Sequence, residues 1–396
     1  MGLSRRSFLE AGAGAALLRV ASPAQAHAGG DSSFDPWIEI TSANLLHNVD
    51  AVARRVAPRP ILAVVKNNGY GLGVVNVARI LEPAAPVAGF AAVKLAEAVA
   101  LREAGIRKPI LLMGPFDEAG LEEAAARDVM PMVYTPIGDV LDRVAARRGR
   151  SIPIHVCVDT GIGRVGVPHQ HAGPLLRDLA ARRSVQIQGV MMTFTEDPDF
   201  DREQLGRFQS LCAALDQDGV PLGKRHAASS FGLFQHPGAF LDMVRPGMAL
   251  YGMYPEPEFR GGGVLELRPA VSLKARVIYV KRLRPGESAG YNRAYLAERE
   301  VWVATLPVGH ADGLPRVAAK GGRVRIGGTL FPLIASVSAS HCIVEVGPEP
   351  RVAVGDVATI FDAQPGSRPE DLAAACGSSV YDLSMHLNPL LPRRVL

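Results

Sequence analysis

The sequence predicts an α/β protein, a (β/α)8 barrel followed by a mostly antiparallel β domain. Between about residue 37 and residue 250, eight short β-rich runs alternate with longer amphipathic stretches. After about residue 265, helical patterns are nearly absent until residue 372, and short β-branched runs are separated by glycine and proline. Repeated strand–helix units are typical of a barrel with a parallel sheet, and strands joined by glycine or proline turns are typical of an antiparallel sheet.

The predicted barrel strands are nearly continuous apolar runs, as a parallel sheet covered on both faces allows. The stretches between them, such as 94–105 (KLAEAVALREAG) and 122–129 (EEAAARDV), repeat apolar residues at spacings of three and four, as one buried helix face does. The strands are expected at residues 61–66, 88–93, 109–114, 129–134, 152–159, 187–194, 224–230 and 242–247.

The second domain is predicted from runs that alternate between apolar and polar residues or are rich in β-branched residues. The linker is expected near Glu256–Gly263, which holds Pro257 and three consecutive glycines. The predicted domains are therefore a barrel over residues 37–262 and a β domain over residues 263–396. Its strands are expected within residues 271–283, 299–309, 322–337, 341–347 and 356–362.

Residues 1–30 resemble a twin-arginine export signal. Ser4–Leu9 (SRRSFL) precedes an apolar run over Ala11–Val20, and Ala24–Ala26 forms a small-x-small cleavage site. This order predicts export by the twin-arginine machinery to the periplasm. The alternative is a buried helix that begins with two arginines. Arg19 interrupts the apolar run, which argues against a permanent membrane anchor.

Composition excludes some classes of partner. A formal net charge of +4 gives no case for nucleic-acid binding. No other stretch approaches the ~18 apolar residues of a spanning helix, so the mature protein is expected outside the membrane. The four cysteines form no CxxC pair, and the sequence cannot pair them although an exported protein permits disulfides. Cys157, in an apolar run, is expected to be a buried thiol.

Lys66 is the leading candidate for chemistry. It ends an apolar strand and is followed at once by Asn67-Asn68-Gly69-Tyr70-Gly71. The carboxyl end of a barrel strand faces the active site, and an amine placed there can attack an aldehyde. By itself, a lysine at a strand end is more often a solvated surface residue.

The run AVVKNNGYGLG, residues 63–73, resembles the cofactor-lysine motif AVVKANAYGHG of alanine racemases. Further motifs similar to those of this family follow in the family's order, and the resemblance covers about residues 37–396. Each motif alone is weak evidence, whereas the ordered set is strong. These motifs are DTGIGRVG (159–166), HAASS (226–230), RPGMALYG (245–252), GYNRAY (290–295) and LPVGHADG (306–313).

The resemblance implies a pyridoxal 5′-phosphate (PLP) enzyme that interconverts L- and D-amino acids, with Lys66 carrying PLP as a Schiff base. Lys66 and Tyr291 would act as bases on opposite faces of the substrate Cα, because the proton must leave one side and return from the other. Arg164 would contribute to binding both PLP and substrate, and it would stabilise the Tyr291 phenolate. In the family this tyrosine comes from the partner subunit, which implies a homodimer with shared sites. The alternative for Tyr291 is a half-buried tyrosine in a sheet.

The resemblance also implies how PLP is held. Arg245 would face the pyridine nitrogen, where related decarboxylases have a glutamate, and this favours a racemase. The phosphate would lie among the Ser230 hydroxyl, the amides of Gly247 and Met248, and Tyr70, since a hydroxyl with backbone amides is a common anion cradle. The alternative for Arg245 is a strand-end residue in a salt bridge.

The sequence departs from the family pattern at four places. A family histidine behind the PLP ring falls on Thr193, and the tyrosine of GYADG becomes His310. The Met-Asp segment that lines the substrate pocket from the partner subunit aligns with Ser338–Ser340, so Ala339 and Ser340 are the candidate substrate-binding residues. A C-terminal phosphate-binding tyrosine falls on Pro389. These changes predict a more open or differently polar pocket, and a substrate range that is broader than alanine or shifted to a larger amino acid.

Two other functions remain open at this stage. One is a PLP-binding protein with little catalysis, which the four departures favour. The other is a PLP lyase with a metal, for which His341 and Cys342 are the candidate ligands. Neighbouring strand residues point to opposite faces, so this pair cannot hold one ion and no metal is expected.

Overall fold

The computed structural model describes residues 34–396, and the predicted export signal of residues 1–30 lies outside them. In its N-terminal part, helices and strands alternate as the periodicity predicts. The strands are β1 Trp37–Ile40, β2 Ile61–Val64, β3 Val87–Ala92, β4 Ile110–Leu112, β5 Val129–Val133, β6 Ile152–Asp159, β7 Val167–Pro168, β8 Val185–Met191 and β9 Lys224–His226. The helices are α1 Ser42–Val56, α2 Lys66–Tyr70, α3 Val74–Leu81, α4 Leu95–Glu103, α5 Glu118–Ala126, α6 Gly138–Arg148, α7 His169–Ala181, α8 Pro198–Gln217 and α9 Ser230–Gln235.

Seven parallel strands form the barrel, in the order β2-β3-β4-β5-β6-β8-β9. The ring closes where Val244 bridges Ile61 in parallel, and where the Leu62 amide donates to the Val244 carbonyl at 2.9 Å. The expected eighth strand, residues 242–247, is thus reduced to a single bridge beside β2. Pro246 accepts a bond from the Val64 amide but has no N–H to donate, which limits the pairing. The predicted (β/α)8 fold class is confirmed.

The barrel is held by apolar burial on both sides of its sheet. Every residue of β2 and β4 is buried. On the outside, α1 buries Leu45, Val49 and Val52, which recur at the spacing of one helical face. Each such aliphatic side chain contributes about 1.5–3 kcal/mol when it is removed from water.

The C-terminal part is a mostly antiparallel sheet, as predicted, with order β11-β14-β17-β16-β15-β18-β10-β1-β19. The predicted segment 271–283 divides into two strands, and the predicted helical pattern near residue 372 falls in the first of two helices. The elements are β10 Val271–Arg276, β11 Tyr279–Leu283, β12 Ser288–Ala289, β13 Tyr295–Leu296, β14 Val301–Leu306, β15 Arg323–Ile326, β16 Thr329–Ile334, β17 Cys342–Gly347, β18 Val357–Phe361, α10 Pro369–Cys376, α11 Val380–Met385 and β19 Arg393–Val395.

The first strand within the described residues belongs to this second sheet. The range predicted for the barrel begins at residue 37, yet β1 pairs antiparallel with β10 and parallel with β19. Backbone N–H and C=O groups of a short strand need partners, and nothing in four residues specifies which sheet supplies them. The sheet is therefore built from both ends of the described chain. Within residues 34–396, none of the helices has the length and apolar composition that spanning a bilayer requires.

Candidate active site

The candidate residues meet at one end of the barrel because parallel strands share the direction of their carboxyl ends. Lys66 follows β2, and Arg164 follows β6. Thr193 follows β8, and Ser230 lies shortly after β9. Arg245 lies on the segment that closes the ring beside β2. Residues from five positions of the sequence thus line one mouth of the barrel.

Lys66 opens a turn of left-handed backbone. Asn67, Asn68, Gly69 and Tyr70 have φ values of 52°, 56°, 61° and 53°. Left-handed residues usually occur singly, and asparagine and glycine adopt this conformation most readily, which accounts for three of the four residues. Tyr70 is bulky, so its backbone is strained. Such strain persists where the surrounding structure fixes the chain, and it is common at functional sites.

Three tyrosines pack beside Lys66. Tyr70 stacks on Tyr251 with ring centroids 4.4 Å apart, and it meets Tyr381 edge to face at 5.8 Å. The Lys66 Nζ lies 5.6 Å from the centre of the Tyr381 ring. Burial raises the pKa of Tyr70, and so does the neighbouring Tyr381, so Tyr70 is a neutral hydrogen-bonding group at every pH of interest.

Tyr381 was missed by the sequence reasoning, which aligned the family's C-terminal tyrosine with Pro389. Pro389 is exposed, and its carbonyl accepts a bond from Arg393. Tyr381 instead lies against Lys66 and Tyr70. A signal was available, because Tyr381 is the only tyrosine after residue 295. Gly377 and Pro389 flank Tyr381, but the position of Tyr381 relative to Lys66 depends on packing between α11 and α2, which no local sequence pattern specifies.

Arg245 is buried, and every group to which it donates a hydrogen bond is neutral. It donates to His226 Nδ1 at 2.9 Å, to the Met192 carbonyl at 2.9 Å, and weakly to Thr193 Oγ1 at 3.4 Å. These are not salt bridges, so the alternative of a strand-end ion pair is wrong. Burial, together with a smaller effect of the Arg164 charge, lowers the pKa of Arg245 to about 10, so the guanidinium remains charged at neutral pH.

A second histidine fixes the tautomer of the first. His226 Nε2 lies 2.9 Å from His155 Nδ1. Since His226 Nδ1 accepts from Arg245, its proton sits on Nε2 and is donated to His155. Burial lowers the pKa of His155 to about 4 and that of His226 well below its usual value, so both rings stay neutral. His155 was not singled out in the sequence. It fits because Gly189 has no side chain, and a Cβ there would lie 2.7 Å from the imidazole.

Ser230 organises the proposed phosphate cradle. Its Oγ accepts from the amides of Gly247 at 3.0 Å and Ala249 at 3.1 Å. The Gly247 amide is therefore used by Ser230, which corrects its expected role as a free donor. Among the described residues no hydrogen bond has the Ser230 hydroxyl as its donor, so this hydroxyl is free to donate to a bound group. The Met248 amide opens a 3-10 helix and has no acceptor inside that helix.

The Tyr70 hydroxyl lies over Gly247. A Cβ added to Gly247 would stand 2.0 Å from Tyr70 Oη, so any other residue would push the phenol away. The predicted group of Tyr70, Ser230, Gly247 and Met248 is thus gathered in one place.

Arg164 is exposed on the loop that follows β6. Asp159 shapes this loop, because its Oδ1 accepts from the amides of Gly161 at 2.8 Å and Gly163 at 3.2 Å. The Arg164 guanidinium lies near enough to Arg245 to lower its pKa. The loop after β6 therefore brings its cation to the same mouth as Lys66 and Arg245.

A buried network holds the loop after β8. Asp201 Oδ1 accepts from the Thr195 amide at 3.1 Å and its hydroxyl at 2.9 Å, and from the Glu196 amide at 3.1 Å. Gln204 accepts from the same Thr195 groups and donates to the Thr193 carbonyl. His236 pairs with the second Asp201 oxygen at 2.9 Å. This network fixes the loop that carries Thr193.

Glu196 is a further residue that the sequence did not single out. Partial burial, Glu256 and Asp201 raise its pKa, while Arg164 and Lys66 lower it. A carboxylate thus lies near the Lys66 amine. Its φ of 69° places it in the left-handed region, which no pattern in the sequence predicted.

The residues predicted on the β domain are exposed. Tyr291 is 73% exposed on a 3-10 helix, so the half-buried alternative is wrong. In the described part of the chain, Tyr291 makes no hydrogen bond or ring contact with the barrel. Ala339, Ser340 and His310 are also exposed. Among the described residues of one copy, no hydrogen bond or ring contact joins these side chains to Lys66.

The structure also places the four cysteines and the pair His341 and Cys342. All four cysteines are free thiols, and Cys157 is buried as predicted. His341 is exposed whereas Cys342 is buried, as expected for neighbours on opposite faces. No three His, Cys, Asp or Glu side chains of residues 34–396 are placed to share one metal ion.

Comparisons with known proteins agree with this geometry. The model for the alanine racemase N-terminal domain matches residues 40–255, and the model for the alanine racemase C-terminal domain matches residues 270–395. An alanine racemase of Symbiobacterium thermophilum is 36% identical over 375 residues, covering 92% of this chain and 97% of that protein. One of Desulforamulus reducens is 33% identical over 365 residues, covering 90% and 98%.

Solved structures give the same answer. The crystal structure of alanine racemase from D-cycloserine-producing Streptomyces lavendulae superposes with a TM-score of 0.86 at 31% identity, over 92% of this chain and 98% of that one. The alanine racemase of Bacillus anthracis with bound L-Ala-P gives 0.83 at 28% identity, over 92% and 95%. With both domain models matched and at least 90% of its length covered by each of these relatives, the chain belongs to the alanine racemase family.

Proposed function

We propose that this protein is a PLP-dependent amino-acid racemase that interconverts L- and D-amino acids by two-base proton exchange at Cα. The observation that carries the proposal is the Lys66 amine at the mouth of the barrel beside Arg245. Arg245 is a buried cation held by neutral groups alone. If Lys66 were only a surface residue and Arg245 only a structural one, nothing would explain why both lie at the same end of the barrel as Ser230. The Ser230 hydroxyl donates no hydrogen bond among the described residues.

The residues at this mouth fit PLP. The Ser230 hydroxyl and the Met248 amide supply donors for a phosphate, and Gly247 leaves the space below Tyr70 Oη that a Cβ would fill. Lys66 supplies the amine that bonds the aldehyde, and Tyr381 packs beside it. When bound, PLP withdraws electrons from the substrate Cα and so makes its hydrogen acidic.

Arg245 sets how strongly that withdrawal acts. Three of its five N–H donors are used within the described residues, which leaves donors for a ring nitrogen. An arginine that stays protonated keeps a proton off that nitrogen. Weaker electron withdrawal favours proton exchange over decarboxylation, which agrees with the racemase assignment.

Two bases act on opposite faces of Cα. Lys66 Nζ holds or takes the proton on one face, and Tyr291 Oη does so on the other. Arg164 stabilises the charged phenolate and binds the substrate carboxylate. Because Tyr291, Ala339 and Ser340 are exposed in one copy, we propose that they complete the site of a second copy in a homodimer with two shared sites.

The substrate range is proposed to exceed alanine. Thr193 replaces an imidazole, and Ala339 and Ser340 replace a thioether and a carboxylate, so the pocket has more room than a site built for a methyl group. The order of segments in residues 1–30 further supports export to the periplasm by the twin-arginine machinery.

A spectrum and a racemisation assay test the proposal together. Purified protein is expected to show the visible absorption band of lysine-bound PLP, and Lys66→Ala is expected to lose both the band and racemisation. The matched control is Lys94→Ala, which removes an exposed lysine just after the neighbouring strand β3. Alanine, serine, lysine and arginine are then compared as substrates.

The outcomes separate the alternatives. A band without racemisation of any amino acid would establish the weakly catalytic PLP-binding protein instead. No band after PLP is added would refute the cofactor assignment. Turnover of alanine alone would refute the broader range and leave the racemase in place.

A further inference from the structure

We propose that Arg393 is a positioning residue for Lys66, acting through the carbonyl of Gly71. The proposal rests on the function given above, in which Lys66 carries the cofactor and moves a proton. Arg393 lies on β19, the last strand of the sheet, whereas Lys66 lies at the mouth of the barrel. Two parts of the chain 322 residues apart are joined by this contact.

Arg393 donates its hydrogen bonds to backbone carbonyls. Its Nε donates to the Gly71 carbonyl at 3.0 Å and its Nη2 donates to the same oxygen at 2.7 Å. Nη1 donates to the carbonyls of Pro389 at 2.9 Å and Leu391 at 2.7 Å, and Nη2 also reaches Asn388 at 3.2 Å. No carboxylate partners it within residues 34–396. The guanidinium is thus a rigid bridge between the C-terminal segment and Gly71.

Gly71 is where the left-handed turn ends. Its φ is 84°, and its amide donates to the Asn67 carbonyl at 3.2 Å. A Cβ on Gly71 would lie 2.3 Å from the Ser384 carbonyl, so this residue is enclosed between α11 and Arg393. The two hydrogen bonds that Arg393 donates to the Gly71 carbonyl fix the direction of the chain where it leaves the turn.

The other end of the turn is held from the barrel. Glu97 Oε1 accepts from the Asn68 amide at 2.8 Å, and its second oxygen accepts from the Lys94 amide at 3.1 Å. A run of strained residues relaxes unless both ends are fixed. Glu97 and Arg393 fix them from two different domains. Docking of the C-terminal segment is therefore part of what aims Lys66.

The competing interpretation is that Arg393 only stabilises the fold. Arg102 offers a matched control, because it also donates to four backbone carbonyls. They are those of Arg127 at 3.0 Å, Ile106 at 2.7 Å, Lys108 at 2.8 Å and Asp128 at 2.9 Å. It lies beside the amino-terminal ends of β4 and β5, opposite the candidate site. Arg102 and Arg393 thus make the same kind of bonds at opposite ends of the barrel.

The experiment compares Arg393→Met, Arg393→Lys and Arg102→Met with the parent, all as full-length protein. Amide hydrogen exchange of residues 66–73 is measured by mass spectrometry on cofactor-free protein. PLP affinity, kcat, KM and thermal unfolding are measured on the reconstituted protein. Lysine keeps the charge but cannot bridge two carbonyl sites in one plane, so it is the intermediate variant.

Arg393→Met is expected to raise exchange at residues 66–73 and to lower kcat by roughly 10- to 100-fold, as a misplaced catalytic group does. Arg102→Met is expected to lower the unfolding temperature without either effect. Equal kcat losses in both variants, or unchanged exchange at residues 66–73 in Arg393→Met, would overturn the proposal. If Arg393→Met does not fold, amide exchange at residues 66–73 and kcat are measured on Arg393→Lys instead.

The two proposals fail in different ways. If the parent protein binds no PLP, the proposed function fails, while the exchange measurement still tests whether Arg393 orders the turn. If the parent racemises and Arg393→Met does so equally well, the positioning role fails and the proposed function stands.

Discussion

At the scale of single residues, the buried charge of Arg245 is surrounded by neutral hydrogen-bonding groups. Arg245 has no carboxylate partner among the described residues, and His226 accepts its hydrogen bond only as a neutral ring. His155 in turn accepts from His226. Burying three ionisable groups together is tolerable because only one of them is charged. This arrangement destabilises the folded protein at low pH, because protonation of either imidazole would place a second buried charge near Arg245.

This arrangement predicts acid sensitivity. The pKa of His155 is about 4 in the folded protein against 6.5 ordinarily, so the unfolded chain binds the proton first. The stabilising contribution is therefore complete above about pH 6.5 and is lost as pH falls toward 4. Between about pH 7 and pH 5, the free energy of unfolding should fall by roughly 2 kcal/mol because of His155 alone. His226 acts in the same direction.

Urea unfolding at both pH values checks this prediction. His155→Asn is expected to have a shallower pH dependence than the parent, whatever its absolute stability. His171→Asn, which removes an exposed histidine, should leave the dependence unchanged. An equally steep dependence in His155→Asn would contradict the prediction.

At the scale of elements, the site is built from two irregular segments that face each other. One is the left-handed turn after β2, and the other is the segment from Arg245 to Tyr251 that closes the barrel. They meet where Tyr70 lies over Gly247 and stacks on Tyr251. The regular strands bring both segments to one end of the barrel. The shape of the proposed phosphate site is then set by the close approach of the Tyr70 phenol to the Gly247 backbone.

Gly247→Ala tests this approach. At Gly247 φ is −115° and ψ is −89°, outside the regions that alanine usually adopts, and a Cβ there would also stand 2.0 Å from Tyr70 Oη. We expect PLP affinity to fall about tenfold or more and the free energy of unfolding to fall by about 1–3 kcal/mol, as overpacking does. Titration of apo-protein with PLP and urea unfolding measure the two effects.

The control is Gly238→Ala, where an added Cβ would meet nothing within 4 Å. It should change the free energy of unfolding by no more than about 0.5 kcal/mol. Unaltered PLP affinity in Gly247→Ala would show that the Tyr70 hydroxyl is not part of the cradle.

At the scale of the whole molecule, the proposed site is incomplete in one copy. Lys66, Arg164, Arg245 and Ser230 gather on the barrel, while Tyr291 is exposed on the β domain. A base with most of its surface in water is poorly placed for a proton transfer that must exclude water. A second copy that covers Tyr291 would resolve this, and closed two-fold dimers are the commonest way to do so.

Subunit complementation tests the shared site. Lys66→Ala and Tyr291→Phe are each expected to be inactive. If Tyr291 serves the partner's Lys66 site, one site of each mixed dimer is intact, and random mixing should restore about a quarter of parent activity. Mixing after reversible dissociation, followed by a racemisation assay, gives the result. No recovery in proven mixed dimers would place both bases on one subunit.

The sequence determined what depends on local pattern. Seven of the eight predicted barrel strands, the presence of a mostly antiparallel sheet after the parallel one, and the position of Lys66 at a strand end follow from periodicity and turn residues. The ordered motifs then identified the family. These features depend on a few neighbouring residues, so a single sequence can carry them.

Only the tertiary structure decided which distant groups meet. Tyr381 lies beside Lys66, β1 joins the C-terminal sheet, and Arg393 bonds to Gly71 across 322 positions. It also showed that the Gly247 amide is taken by Ser230 and that His155 lies behind His226. Such contacts are fixed by the way the domains dock and by which buried polar groups find partners. Those are properties of the folded chain as a whole, which no local pattern specifies.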